Sequence, residues 1–304
     1  MKLAIVTLSL LLTQAFIPEG DVTLIHKGEE IERFKRSDFE LAPLGEPFLD
    51  PSKIQLLMKE VDEEITKHPV NAKIAKSGEI IPGSDGYKLY KKKFEEKFYR
   101  SLFSGGTEKV KVPKLPVAPR VDSELLANIR TKQIGHYITY FNSNNKERTH
   151  NIQLASDAID GHVVFPGEVF SFNKVVGKRT KQKGYKNAPV IVRGEVTEGI
   201  GGGICQVSST LFNSIDNAGI TILERYSHSK RVPYVPPGRD ATVSWYGPDF
   251  TFKNQYNQPL LIRSNVYGGQ LSITIFSSDV INYDSKNIPD ASDDLPEEKE
   301  LEEN

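Results

Sequence analysis

Apolar and polar positions along this chain change their period several times, and each change marks an expected element. Residues 22–25 (Val-Thr-Leu-Ile) are a short apolar stretch of strand character. Over 51–66, Ile54, Leu56, Leu57, Val61 and Ile65 recur near helical spacing behind Pro51 and Ser52, which are helix-start signals. Residues 71–73 and 79–83 read as strand and turn, and 87–103 as a second helix stopped by Gly105-Gly106. Residues 109–117 alternate with period two, and their prolines suit an edge strand. Residues 20–120 are therefore expected to form a small α+β module, with nothing of catalytic character in it.

The second half carries a different pattern. Residues 121–147 read as a connector, with a helical start at 122–129 and turn chemistry in Asn142-Ser143-Asn144-Asn145. Residues 151–159 read as a helix with Ile152, Ala155 and Ile159 on one face. From 162 to 276 short strands alternate with Gly/Pro/Asn turns, broken by one strong helix. Its stripe is Val207, Leu211, Ile215 and Ala218, and Gly219 ends it. The expected fold class is α+β, with short strands around one central helix that bears a cysteine. Residues 279–304 turn polar and acidic and read as a disordered tail, because they cannot bury enough apolar surface to fold.

The N-terminus changes the setting. Met1-Lys2 precedes an apolar run from Leu3 to Phe16, shorter than the roughly 20 residues of a spanning helix. Residues 1–19 read as an export signal, cut after Ala15, or as a membrane anchor; the competing reading is a buried N-terminal strand. Export places the protein outside the cell or in its envelope.

Composition narrows the function. The 304 residues carry a formal net charge of -1, so no global field points to nucleic acid. Lysine clusters at 91–93 and 178–181 read as solvated faces. The single Cys excludes an internal disulfide framework and any CxxC site, and the six His offer no HExxH helix. No metal and no cofactor is expected.

The densest chemical signal is Gly199-Ile200-Gly201-Gly202-Gly203-Ile204-Cys205-Gln206, a glycine-rich loop running into the strong helix. It lacks the Lys-Ser/Thr and the spacing of a phosphate loop. Cys205 falls in the first helical turn, where unpaired N–H groups and the helix dipole favour a thiolate. A Cys in such a place also serves as a small buried hydrophobe. Downstream come His228 and Asp240. Cys on a helix, then His, then Asp is the chain order of papain-like and transglutaminase-like thiol enzymes. Taken singly, His228 reads as a surface histidine and Asp240 as a turn or capping residue.

Several blocks together resemble the VanW family. They are His150-Asn151-Ile152-Gln153-Leu154-Ala155, Pro166 to Asn173, Val176-Gly177, Gly184-Tyr185, Gly201 to Leu211, Glu224 to Ser229 and Tyr234 to Ala241. The likeness sets a VanW domain at 148–278, and residues 20–120 are similar to the peptidoglycan-binding module that often precedes it. The family is named for glycopeptide-resistance clusters, and some members have been described as cysteine-dependent L,D-transpeptidases. The resemblance implies peptidoglycan stem peptides as partners and Cys205 as nucleophile. It would attack the carbonyl of the third stem residue, expel the terminal D-alanine and pass the acyl group to an amine. The Ser/Thr-His-Gly-Cys motif of the better-known L,D-transpeptidase fold is missing.

In that frame His228 is general base and then acid, and Asp240 orients it. Gly202 and Gly203 are oxyanion donors, joined by Gln206, and Arg225 and Tyr234 meet the stem carboxylate. An exposed ion pair explains Arg225 equally well. Ser208 and Ser209 read as capping or back-bonding hydroxyls, and Trp245 as core or groove wall. Two other readings stay open: a non-catalytic wall-binding or resistance accessory protein, and a thiol peptidase or amidase on the same stems.

Overall fold

The computed structural model describes residues 20–41, 49–192 and 195–292. The expected signal or anchor at residues 1–19 lies outside them. Both helices and strands are present, and the fold is α+β. The chain divides into two compact units, one reaching Asn71 and resuming over Gly83–Arg120, the other formed by Ala72–Pro82 and the rest of the chain from Val121.

The first unit opens with the hairpin β1 (Asp21–His26) and β2 (Glu29–Lys35). Lys27 (φ 53°) and Gly28 (φ 91°) both take the positive φ that a tight two-residue hairpin turn demands. Helix α1 (Pro51–Ile65) starts where Asp50 accepts a hydrogen bond from Ser52 N–H, with Pro51 in the first turn. Between α1 and the rest of this unit the chain makes a hairpin, β3 (Lys73–Ile74) and β4 (Ile80–Ile81), that belongs to the second unit.

Strand β5 (Gly86–Leu89) then precedes α2 (Lys91–Phe103). The helix expected from residue 87 therefore begins four residues later. Leu89 N–H is taken by the Asp62 carboxylate at 2.8 Å and Tyr90 N–H by the Pro113 carbonyl at 3.0 Å, which commits both to extended structure. The single strand expected over 109–117 is two. β6 (Glu108–Lys111) pairs in parallel with β1, and β7 (Lys114–Val117) pairs with β5. Pro113, without an N–H, stands at the break. Ile54, Leu57, Val61, Phe94, Phe98 and Leu102 close a core between the helices and β1.

In the second unit, α3 (Ser123–Ile129) and the nine-residue strand β8 (Lys132–Tyr140) occupy the stretch read as a connector. Next come α4 (Lys146–Ile159), β9 (Val163–Val164), β10 (Val169–Ser171), α5 (Phe172–Val176), β11 (Asn187–Val192) and β12 (Glu195–Ile200). They are followed by α6 (Ile204–Asn217), β13 (Thr221–Glu224), β14 (Thr251–Lys253), β15 (Leu260–Tyr267) and β16 (Gln270–Ser277). The main sheet has the order β8-β16-β15-β9, all antiparallel, with α6 against β8 and β16 and α4 against β15. A three-stranded sheet, β10-β14-β13, and the hairpin β11-β12 complete the unit.

Val207, Leu211 and Ile215 are fully buried along α6, and so are Gln206, Ser208, Ser209, Thr210, Asn213 and Ser214. The sequence shows the apolar stripe; the structure shows a helix enclosed on its polar faces as well.

Residues 279–292, expected to be disordered, pack onto this unit. Asn217 holds both backbone groups of Lys286 at 2.8 Å, and Ile281 is buried. Their backbone finds partners on α6 that no composition rule foresees. Residues 293–304 lie outside the described residues.

Candidate active site

The site begins at the N-terminus of α6. Gly203, at φ 100°, is the N-cap, a conformation open to glycine and strained for other residues. Gly202 answers a different demand. A Cβ there would stand 2.5 Å from the Pro189 carbonyl oxygen and 2.7 Å from the Ala188 backbone. The space beside the Gly202 Cα is thus filled by the chain's own β11. Asn151 of α4 locks the loop: its Nδ2 donates to the carbonyls of Lys186 (3.0 Å) and Gly202 (3.1 Å), and its Oδ1 accepts from Lys186 N–H (2.8 Å).

Cys205, in the first turn, is partly exposed. Its Sγ lies 3.7 Å from Thr242 Oγ1 and 3.6 Å from the Val243 carbonyl oxygen. The segment 239–243 reaches it because the polar face of α6 draws that segment in. Ser208 donates to the Ala241 carbonyl at 2.5 Å, and Ser209 accepts from Ala241 N–H at 2.8 Å. Asn213 donates to the Arg239 carbonyl at 2.8 Å and accepts from Arg239 Nε at 2.7 Å. Ser209 also back-bonds to the Cys205 carbonyl at 2.7 Å.

That packing sets Asp240 in place beside His228. The carboxylate accepts from His228 Nδ1 at 2.6 Å, and both side chains are nearly buried. The imidazole also lies close enough to the Cys205 thiol for each to shift the other's proton affinity. With Nδ1 committed to Asp240, Nε2 is the nitrogen left over. His228 is thus bonded to Asp240 and electrostatically coupled to Cys205.

Their proton affinities follow from the geometry. Burial opposes charge on His228, but the hydrogen bonds and charges of Asp240 and Cys205 outweigh it and lift the imidazole to about 9. Burial would raise the Cys205 thiol; the His228 hydrogen bond and charge, helped by Val243 and Thr242, pull it below its ordinary value. Burial likewise acts to raise Asp240, and the bonds from His228 leave it lowered. These shifts favour a thiolate against an imidazolium, held by a carboxylate.

The other expected residues are placed as follows. Gln206 is fully buried, and its amide is committed: Oε1 accepts from Arg148 at 2.7 Å, and Nε2 donates to Thr139 Oγ1 and the Tyr140 carbonyl, both at 3.0 Å. That corrects its expected role as an oxyanion donor, since no N–H of the amide is left over. Arg225 lies over the Phe212 ring at 4.8 Å and donates to Ser227. None of these contacts joins it to Cys205, His228 or Asp240. Tyr234 is buried. Burial, with the Cys205 charge, raises its phenol well above the ordinary value, so it stays neutral. Trp245 is 41% exposed on the turn after Val243, which excludes a core role.

A family model described as VanW like protein matches residues 147–276. The uncharacterized protein YoaR of Bacillus subtilis is 54% identical over 288 residues, covering 95% of this chain and 95% of that protein. The chain belongs to the VanW family. The vancomycin B-type resistance protein VanW of Enterococcus faecalis is 32% identical over 114 residues, 36% of this chain and 42% of that protein. No solved structure matches.

Within this VanW-family protein, four residues that sequence reasoning did not place carry much of the site: Asn151, Arg148, Asn173 and Arg179. Asn173 Nδ2 donates to the carbonyls of Ser244 (2.9 Å) and Pro248 (3.0 Å) and so holds the turn that follows Thr242 and Val243. Asn151 and Asn173 both lie in blocks that carry the family likeness, which was the available signal for them. Arg148 had no such signal, and Arg179 lies in the basic run 178–181 read as a solvated face, whereas the structure half-buries it with its Nη2 enclosed.

Proposed function

We propose that this protein performs cysteine-dependent acyl transfer on peptidoglycan stem peptides at the cell envelope. The observation that carries the reading is the His228–Asp240 pair coupled to Cys205, with the thiol lowered and the imidazole raised. A relative named as a vancomycin B-type resistance protein supports a cell-wall setting. Export through residues 1–19 is part of the same proposal.

The thiolate of Cys205 attacks the carbonyl carbon of the third stem residue, and the S–C bond forms. As the tetrahedral intermediate collapses, the C–N bond to the terminal D-alanine breaks. The leaving amine takes the proton from His228 Nε2. The thioester is then attacked by an amine of a neighbouring stem, whose proton passes to His228. A new C–N bond forms, the S–C bond breaks, and the thiolate returns. Asp240 keeps the imidazole in one tautomer and stabilises its charge through both steps. The backbone N–H groups of Gly202 and Gly203 remain the proposed oxyanion donors, and Tyr234 supplies a neutral wall.

The test is mass spectrometry of tetrapeptide muropeptides incubated with the protein and with Cys205→Ala. A cross-linked dimer lacking one D-alanine, made by the wild type alone, supports the proposal. A tripeptide monomer without dimers makes water the acceptor and the protein a hydrolase. No product from folded protein sinks the acyl-transfer reading and leaves a binding protein.

A further inference from the structure

Arg179 stands between α5 and a short 3-10 turn at Lys181–Lys183, and the catalytic steps above do not use it. Its stem runs along the glycine loop, with Cβ and Cγ each 3.5 Å from where a Cβ on Gly201 would stand. Its guanidinium is 5.7 Å from the centroid of the Phe172 ring, and Nη1 donates to Asn173 Oδ1 at 2.7 Å. Asn173 is itself fixed by the Ser244 and Pro248 carbonyls, so the fork is held in one orientation.

What this guanidinium lacks is a direct anionic partner. The partner Asn173 is neutral, and Nη2 is buried with no hydrogen-bond partner. Among the described residues no carboxylate lies within ion-pair distance of this guanidinium. Asp249, whose charge does reach it, is occupied by Ser171 and by the N–H groups of Asn173 and Phe250. Burial disfavours the charge on Arg179, and the nearby charge of Cys205 favours it. A half-buried cation without a direct ionic partner is costly, and a ligand carboxylate removes that cost.

We propose that Arg179 receives the terminal α-carboxylate of the acyl donor and restricts the site to stems that end one residue beyond the scissile bond. The inference rests on the acyl-transfer reading for the identity of the donor. In such a donor the carboxylate is separated from the attacked carbonyl carbon by only the leaving nitrogen and its Cα. A cation beside the nucleophile is where that group must lie. An internal peptide bond offers no carboxylate there. The role first expected of Arg225 thus passes to Arg179.

The test is binding, made independent of turnover. In full-length Cys205→Ala protein, calorimetry compares a stem tetrapeptide ending in free D-alanine with the same peptide as its C-terminal amide. The free acid should bind about tenfold or more tightly, as a charge-assisted hydrogen bond implies. Adding Arg179→Gln should reduce that preference to less than about twofold, while affinity for the amide barely changes. Arg179→Lys keeps the charge and guards against a folding defect; it should retain a reduced preference, since lysine lacks the planar fork. Equal affinity for acid and amide, a preference that survives Arg179→Gln, or no binding of either peptide at millimolar concentration overturns the proposal. An Arg179-dependent preference in a protein that makes no thioester keeps the carboxylate site and removes the acyl-transfer reading alone.

Discussion

One oxygen of Asp240 accepts two hydrogen bonds from the same residue, His228: Oδ2 lies 2.6 Å from its backbone nitrogen and 2.6 Å from its Nδ1. The carboxylate thereby fixes the main chain and the ring of His228 together. The imidazole cannot turn without giving up the charged bond, so the ring is held in one orientation. Asp240 is in turn held by its neighbour Ala241, whose N–H and carbonyl are engaged by Ser209 and Ser208 of α6. Cys205 and Asp240 are thus tied to one helix.

Asp240→Asn keeps the shape and removes the charge. The imidazolium loses its main support and the thiol rises with it. Alkylation of Cys205 at pH 6.5 should slow by about tenfold for each unit by which the thiol rises, and the melting curve should change little. An unchanged rate would mean that Asp240 only shapes the loop.

The pH dependence has a definite sign. His228 keeps its proton up to about 9, against an ordinary 6.5, so the stability it contributes is complete below 6.5 and is lost as pH rises through about 9. Cys205 and Asp240 are lowered, so their contributions are lost as pH falls through their folded values. Turnover should therefore fall on the alkaline side near 9, where His228 can no longer protonate the leaving amine. Alkylation by iodoacetamide should remain fast well below the ordinary thiol range of about 8.5. In His228→Ala the alkylation curve should move up into that range.

Gly202→Ala places a methyl group 2.5 Å from a backbone carbonyl that has no freedom to move aside. The expected loss is about 1–3 kcal/mol or more in urea unfolding. A variant as stable as the wild type would show that the loop and β11 can separate.

Asn151→Ala leaves two backbone groups without their partner, the N–H of Lys186 and the carbonyl of Gly202, while the Lys186 carbonyl keeps the Gly201 N–H. Each buried group so exposed costs about 1–3 kcal/mol. Asn151→Asp can still accept from Lys186 N–H but cannot donate to the carbonyls, so it should fall between the wild type and the alanine variant. Thermal melts of the three proteins give the order. If the aspartate variant is no better than alanine, the donors carry the whole effect.

How far the sequence reveals this protein differs by residue. α1 was readable from its apolar spacing and its Pro51-Ser52 start, because a helix of this kind is specified by residues within a few positions of one another. The stripe of α6, the glycine loop and Cys205 in the first turn were readable for the same reason. The first turn of α2 was misread because Leu89 and Tyr90 give their N–H groups to Asp62 and Pro113, partners far along the chain. The tail to residue 292 was misread because its partners are the side chain and backbone of Asn217.

Chain order alone could list Cys205, His228 and Asp240. It could not show that buried serines and an asparagine on α6 draw Asp240 inward, or that Gln206 spends its amide on Arg148, Thr139 and Tyr140. Nor could it show that Arg179 comes to lie beside the loop with a donor unmatched. Local spacing carries the elements because their hydrogen bonds close within a turn or a hairpin. The site is set by bonds that span tens of residues, and only the folded chain selects which of the many polar side chains make them.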